Sequence, residues 1–383
     1  MVNPSKHVPL TSSNHSKHRV CMISGLAKFA GGLENVVDNL SKFLINYHNV
    51  SVNIFGRSNQ DFIESRPNYK IIGVRPYSFF PPGVGIPHYG KFGYNLKVWQ
   101  KTRASGQYDI IHGHGDNCFF SSLLRDKTPF LMTFHGTMAK VLEESSDLRN
   151  RPFLYAEKAA GIRCDIAVAC SRAVKNELTQ YYGLSPNKIH VIHNGVDVEK
   201  FMPIDKKQAR RKLLLPEHNT YALWVGSNPH RKKLATAIRA VENSTCSKLL
   251  VIGMTGQNLG KTVFLGKLSE PDLITAYSAA DVLLFPTLYE GFPMVPLEAL
   301  ACGLPAIASV QSNLGEIIQE GTHGFVVNGK NSTAYQKKID QLINNPSLLS
   351  ELSHKCRALA LNYSWQKQTE RYWLIYQKLL RSQ

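Results

Sequence analysis

The chain alternates almost throughout between short runs of β-branched residues and amphipathic stretches of helix length. Parallel strands need a crossover of a dozen or more residues, usually a helix, so this rhythm restricts the fold to helix-covered parallel sheets. In the first half, 19–25, 50–56, 70–75, 109–115, 130–136, 165–171 and 189–192 read as strands. Helices are expected between them at 32–48, 94–105, 153–163 and 172–182. After a polar, charged connector over about 197–219 the rhythm restarts. Strands then read at 221–226, 248–253, 262–266, 281–288, 305–310 and 324–327, with helices at 232–242, 270–280, 294–301 and 314–320. The tail from 332 to 380 holds no strand pattern and reads as three helices, the last from about 365. A chain of 383 residues is too long for one core. The expectation is α/β, with two doubly wound, Rossmann-like domains at 1–188 and 189–364 and a C-terminal helix at 365–383 crossing back to the first.

Composition narrows the function classes. A chain that is 43% hydrophobic and 19% charged is of the folded, soluble kind. No apolar run approaches the roughly 18 residues of a membrane span. The polar, His/Ser-rich segment 1–18 lacks the apolar core of a signal peptide. Seven cysteines show neither CxxC pairs nor zinc-ligand spacing, so free thiols in a reducing cytoplasm are expected, with no structural metal. The net charge of +17 is carried by both halves and implies an anionic partner: nucleic acid, a membrane surface or phosphorylated small molecules.

Ligands of open parallel sheets bind beyond the carboxyl ends of the strands. The unusual residues lie in those loops. The sharpest run is Pro286-Thr-Leu-Tyr-Glu290-Gly291-Phe292-Pro293-Met294-Val295-Pro-Leu-Glu298-Ala-Leu-Ala-Cys-Gly303-Leu-Pro305. A strand ends before Glu290, Gly291 permits close backbone approach, and Pro293 suits the start of a helix that Gly303 ends. The helix mouth favours phosphate or hydroxyl ligands. Glu290 and Glu298 supply two carboxylates able to accept hydroxyl pairs from a hexose and a ribose.

This run resembles the Glu-x7-Glu signature of the retaining family-4 glycosyltransferases, which have the GT-B fold, two Rossmann-like domains facing across a cleft. Further segments match in the family's order. Phe29-Ala-Gly31-Gly32-Leu-Glu34 follows the first strand and is similar to the family's glycine-rich loop near the donor phosphates. Thr133-Phe134-His135-Gly136 ends a strand, and the resemblance puts His135 beside the reacting sugar carbon. His193-Asn194-Gly195-Val196-Asp197 resembles an interdomain turn, with Asp197 bonding backbone donors. Val225-Gly226-Ser227-Asn-Pro-His-Arg231-Lys232-Lys233 matches the diphosphate clamp with two departures: Ser227 stands where the family has Arg, and Lys233 where it has Gly. Lys232 keeps the family's cation, and Arg231 is the candidate replacement for the missing Arg. Phe264-Leu-Gly266-Lys-Leu268 resembles the loop that holds the base through backbone groups, which leaves UDP and GDP unseparated.

The resemblance implies transfer of a hexose from a UDP- or GDP-sugar to a hydroxyl of a glycan or lipid-linked acceptor of the cell envelope, with retention. Lys232, Arg231, Gly32 and the amides after Phe292 would stabilise the leaving diphosphate; Glu290 would orient the hexose and Glu298 the ribose. No cofactor or metal is implied, and no Asp-x-Asp triplet occurs.

From residue 65 to residue 108 there is no acidic residue, while Lys91, Lys97 and Lys101 interleave with Phe79, Phe80 and Trp99. Basic and aromatic residues together suit an anionic membrane surface. This segment is therefore expected to form the acceptor side and to touch the inner leaflet. The alternatives are a nucleotide-sugar epimerase of the same fold, or a basic nucleic-acid-binding protein. No recognition-helix or RNP-type pattern supports the second.

Overall fold

The computed structural model describes residues 18–27, 31–77, 90–145 and 147–382. The chain divides into two compact units, one ending at His193 and rejoined by Gln368–Gln383, the other Asn194–Lys367.

The first unit runs β1 (His18–Leu26), α1 (Gly32–His48), β2 (Val50–Arg57), β3 (Phe62–Arg66), β4 (Tyr69–Val74), α2 (Gly90–Ala104), β5 (Ile110–His114), α3 (Phe119–Leu123), β6 (Phe130–Phe134), α4 (Met138–Ser145), α5 (Arg151–Arg163), β7 (Ile166–Ala169), α6 (Arg172–Tyr182) and β8 (Ile189–Val191). Its sheet has the order β3-β4-β2-β1-β5-β6-β7-β8. Every pairing is parallel except the edge strand β3, which runs antiparallel to β4. β5, β6 and β7 are buried along their whole length, which is why they read as continuous apolar runs. β3 escapes the sequence pattern because it is largely exposed and carries Glu64, Ser65 and Arg66. β8 pairs with β7, so the first unit extends to His193 and the expected division at 188/189 cuts off its last strand.

The second unit contains α7 (Lys206–Lys212), β9 (Tyr221–Val225), α8 (Leu234–Glu242), β10 (Lys248–Ile252), β11 (Thr262–Gly266), α9 (Glu270–Ala279), β12 (Val282–Phe285), α10 (Met294–Ala301), β13 (Ala306–Ser309), β14 (Gly324–Val327), α11 (Ser332–Ile343) and α12 (Pro346–Leu361). The last helix, α13 (Trp365–Arg381), starts here and belongs with the first unit from Gln368 on. The sheet is wholly parallel, in the order β11-β10-β9-β12-β13-β14. Trp224, Leu249, Val251, Leu284 and Ile307 form its core with apolar residues of α8 and α11.

Two expectations are corrected in this unit. The polar connector contains α7, whose Arg210 is buried and donates to Ala279 O (3.0 Å), Glu217 O (2.7 Å) and Asp281 Oδ2 (2.8 Å). The helix expected over 314–320 is replaced by two short 3-10 turns, Val310–Ser312 and Leu314–Glu316. Asn313 between them is left-handed, at φ 60°, which interrupts a regular helix.

The turn from Asn194 to Phe201 is fastened to the body of the unit. Asp197 Oδ1 accepts the backbone N–H groups of Glu199 (3.2 Å) and Lys200 (3.1 Å). The Arg357 guanidinium donates to Val198 O, Phe201 O and Ala301 O at 2.7–2.8 Å, joining the turn to the end of α10.

Lys233 precedes α8 at φ 47° and ψ 49°. A left-handed residue with a Cβ costs roughly 1–2 kcal/mol, part of which glycine returns as unfolded-chain entropy. Lys233→Gly is therefore expected to stabilise the second unit by about 1 kcal/mol. A thermal melt showing no gain would count against strain at this position.

Candidate active site

In each sheet the strand order reverses once beside the first strand: between β1 and β5 in the first unit, and between β9 and β12 in the second. Loops leaving two such strands diverge to opposite faces and open a crevice at their carboxyl ends. Gly31 and Gly32 follow β1, Lys232 follows β9 and Glu290 follows β12, at those two points.

In the second unit, β9 ends at Val225 and is followed by Gly226, where a Cβ would lie 2.5 Å from Lys232 Cδ. Glycine thus lets the Lys232 stem fold back across the strand end. The lysine is pinned through its backbone: its N–H donates to Asn228 O (3.0 Å), and its carbonyl accepts Trp224 Nε1–H (3.0 Å). Its ammonium lies 5.0 Å from the Phe285 ring centroid and 3.8 Å from Glu290 Oε1. Burial lowers the Lys232 pKa, the Glu290 carboxylate opposes that, and Arg231 adds to it.

Arg231 closes the other side. Its Nη1 lies 3.2 Å from Glu290 Oε1 and donates to Tyr289 O at 3.0 Å. It thus provides a guanidinium in the loop where Ser227 replaces the family's Arg. Glu290 Oε1 is buried and has no hydrogen bond of ordinary geometry, although two cations lie within 4 Å. One carboxylate against two cations leaves the loop positively charged, as anion recognition requires.

The backbone after β12 is shaped by two asparagines from distant segments, Asn313 and the Asn194 of the Asn-Gly-Val-Asp turn. Asn313 Nδ2 donates to Glu290 O (2.7 Å) and Gly291 O (3.2 Å), and Asn194 Nδ2 donates to Phe292 O (2.7 Å). Phe292 is buried. Pro293 occupies the N-cap of α10. Pro293 and Pro296 carry no N–H, so the first-turn amide donors are those of Met294 and Val295. Glu298, within α10, accepts the Tyr277 hydroxyl of α9 at 2.8 Å. Burial pushes the Glu298 pKa up to about 7, against the Tyr277 hydrogen bond; Glu270 raises it further, while Lys232 and Lys200 lower it. Leu268 is half-buried between β11 and α9.

In the first unit Gly31 caps α1 in extended geometry and Gly32 begins the helix. The Glu34 carboxylate turns back beneath them: a Cβ on Gly31 would lie 2.5 Å from its Oε2, and one on Gly25 would lie 2.9 Å from its Oε1. The rest of the glycine-rich loop, Phe29 and Ala30, lies outside the described residues.

His135 follows β6 and is not alone. His114 Nδ1 is 3.0 Å from His135 Nε2, and the His112 ring packs against His114 at a tilt of 32° with centroids 4.2 Å apart. His112 is held by Tyr376 Oη at 2.8 Å and Thr133 Oγ1 at 2.7 Å. Burial lowers the pKa of His112 to about 3 and of His135 to about 4, and that of His114 falls as well. At neutral pH His135 is therefore an uncharged hydrogen-bonding group, and no cation. The His112-Gly113-His114 repeat at the end of β5 is the sequence signal of this cluster.

The basic segment is less free than its linear pattern implies. On α2, Lys91 pairs with Asp116 (2.7 Å), while Lys97 and Lys101 pair with Asp61 at 3.0 and 3.6 Å. Trp99 Nε1–H donates to Leu124 O at 3.0 Å. The acids come from outside the acid-free window, so the tertiary fold neutralises charge that the window leaves unpaired. Phe79 and Phe80 lie outside the described residues.

Comparison with known proteins identifies the family and the fold. The profile of glycosyltransferase family 4 matches residues 30–200, and that of the glycosyl transferases group 1 matches residues 205–360. A D-inositol 3-phosphate glycosyltransferase from Salinispora arenicola is 27% identical over 306 residues, covering 70% of this chain and 68% of that one. Sucrose-phosphate synthase from Thermosynechococcus elongatus superposes with a TM-score of 0.84 at 21% identity, over 96% of this chain and 100% of that one. HepE from Anabaena, solved with UDP-glucose, gives a TM-score of 0.74 at 16% identity, over 96% of this chain and 100% of that one. With two Rossmann-like units and both family profiles in sequence order, the chain belongs to the family-4, group 1 glycosyltransferases of GT-B fold.

Proposed function

We propose that the protein is a retaining, metal-independent hexosyltransferase that uses a UDP- or GDP-sugar. The observation that carries this reading is the cluster of Lys232, Arg231 and Glu290 at the switch point of the second sheet. Leaving-group departure puts negative charge on the diphosphate. A lysine and an arginine held beside the mouth of α10 stabilise it without reorganising. Met294 and Val295 add two amide donors. Glu290 orients the hexose, Glu298 takes the ribose hydroxyls, and His135 meets the sugar as a neutral hydrogen-bonding partner. Gly31 and Gly32 admit the phosphates close to the backbone, and Leu268 lies in the loop that receives the base.

The acceptor is a hydroxyl, and we read it as that of a glycan or lipid-linked sugar of the cell envelope. The Salinispora relative's name favours a second class, a phosphorylated polyol. Docking at an anionic membrane surface would rest on Lys91, Lys97, Lys101 and Trp99. Their pairing with Asp61 and Asp116 weakens that surface relative to its sequence. No helix among the described residues is long and apolar enough to cross a membrane. Seven free, buried cysteines suit a cytoplasmic setting.

Calorimetric titration with UDP and GDP tests the donor reading. One of the two is expected to bind, and Glu298→Ala to weaken it about 10- to 100-fold, the worth of charge-assisted hydrogen bonds. Absence of binding by either nucleotide, or unchanged affinity in the variant, would sink the donor assignment. Proton NMR of the glycoside formed reads the anomeric outcome, and inversion would reject retention.

A further inference from the structure

We propose that Tyr277 is a positioning residue for nucleotide binding: its hydroxyl fixes the Glu298 carboxylate in one orientation and keeps it an ionised acceptor for the ribose hydroxyls. This rests on the reading of Glu298 as the ribose ligand.

The geometry is specific. Tyr277 lies on α9 with 1% of its surface exposed, and its ring packs on Phe201 with centroids 6.3 Å apart. The hydroxyl reaches across to α10 and donates to Glu298 Oε2 at 2.8 Å. A buried tyrosine hydroxyl is ordinarily satisfied by a carbonyl or water. Here its partner is the Glu298 carboxylate of α10. Burial and the adjacent Glu298 charge raise the tyrosine pKa, so the phenol remains a donor over the working pH range.

A ribose presents two hydroxyl donors on adjacent carbons, and an ionised carboxylate meets them with acceptor capacity on both oxygens. A protonated one loses an acceptor and becomes a donor. Burial favours that protonated form. The titratable and charged groups that face Glu298 are Tyr277 and Glu270 of α9, Lys200 of the preceding turn, Lys232 of the β9–α8 loop and Cys302 after α10. Lys200 lies 3.1 Å from Glu270, and Lys232 lies 3.8 Å from Glu290, so both cations have nearer carboxylates to serve. Tyr277 hydrogen-bonds Glu298 directly. Removing that donor is therefore expected to move the carboxyl toward protonation.

The test is calorimetric titration from pH 6 to pH 9 with whichever of UDP and GDP binds more tightly. It uses the wild type, Tyr277→Phe, Glu298→Gln and the double variant, with melts confirming that each folds. The wild-type affinity is expected to rise with pH through an inflection near the Glu298 pKa of about 7. Tyr277→Phe keeps the ring and is expected to move the inflection up by about one unit, the order of a single lost hydrogen bond. The affinity then falls about 10-fold at pH 6 and about 5-fold at pH 7, and recovers by pH 9. Glu298→Gln removes the inflection, and its residual pH dependence reports the phosphate alone. In that background Tyr277→Phe is expected to cost less than about twofold, because the two residues act as one unit. A loss of equal size at every pH and in both backgrounds would overturn the proposal, leaving Tyr277 a structural residue. Unchanged affinity in Glu298→Gln would instead remove the ribose reading beneath it.

Discussion

Replacing Lys232 by alanine is expected to lower kcat by about 10²–10³-fold, the usual loss on removing one preorganised group that faces developing charge. The structure explains why the loss should be this large. The ammonium is mostly buried, its backbone is tied at both N–H and carbonyl, and Gly226 leaves room for its stem alone. A water-filled vacancy would not restore a cation at that place. Lys232→Arg is expected to recover little, because a planar, delocalised guanidinium does not reproduce the compact charge of a buried ammonium. Arg231 remains beside Glu290 in the variant, which keeps some diphosphate affinity and directs most of the loss into turnover. Steady-state kinetics with the preferred donor reads the effect. A Lys232→Ala enzyme within a factor of about three of wild type would show that the diphosphate leaves without it.

The second large effect concerns stability. Arg210 and Asp281 form a buried pair, each about nine-tenths buried in side chain, 2.8 Å apart. Asp281 also accepts Tyr221 N–H at 2.7 Å and lies 2.8 Å from Lys206 Nζ. Truncating Arg210 takes the buried guanidinium from Asp281, leaving it Lys206 as its remaining cation, and removes the donor to two carbonyls, at a cost of roughly 3–5 kcal/mol. For a unit of this size, Arg210→Ala is expected to lower the melting temperature by about 10 °C. The neighbouring Arg211 pairs with Glu217 at 2.6 Å but is largely exposed, so Arg211→Ala is expected to cost under about 1 kcal/mol. Equal melting temperatures for the two variants would contradict the burial argument.

Much of the fold was legible in the sequence because parallel strands buried on both faces announce themselves as short apolar runs. Helix α10 was read with its observed ends, Met294–Ala301, because a proline and a glycine bracket it. The elements that escaped did so for identifiable reasons. β3 is an exposed edge without alternation, and α7 is seven residues with three basic ones in its last turn. The 314–320 segment has helical composition, but Asn313 spends its side chain on the Glu290 loop and its backbone in a left-handed turn.

The candidate site divides along the same line. Local sequence marked the segments of the candidate site, since Lys232 and Glu290 follow strand ends and Glu298 lies in the short helix that begins after Pro293. Pairing across the fold was decided only by tertiary structure. Asp61 and Asp116 neutralise lysines from outside the acid-free window, Arg231 meets Glu290 over a separation of 59 positions in the numbering, and Tyr277 meets Glu298 from another helix. Charge and hydrogen bonding depend on distance in space, and a sheet whose strand order reverses brings together loops that the chain keeps far apart.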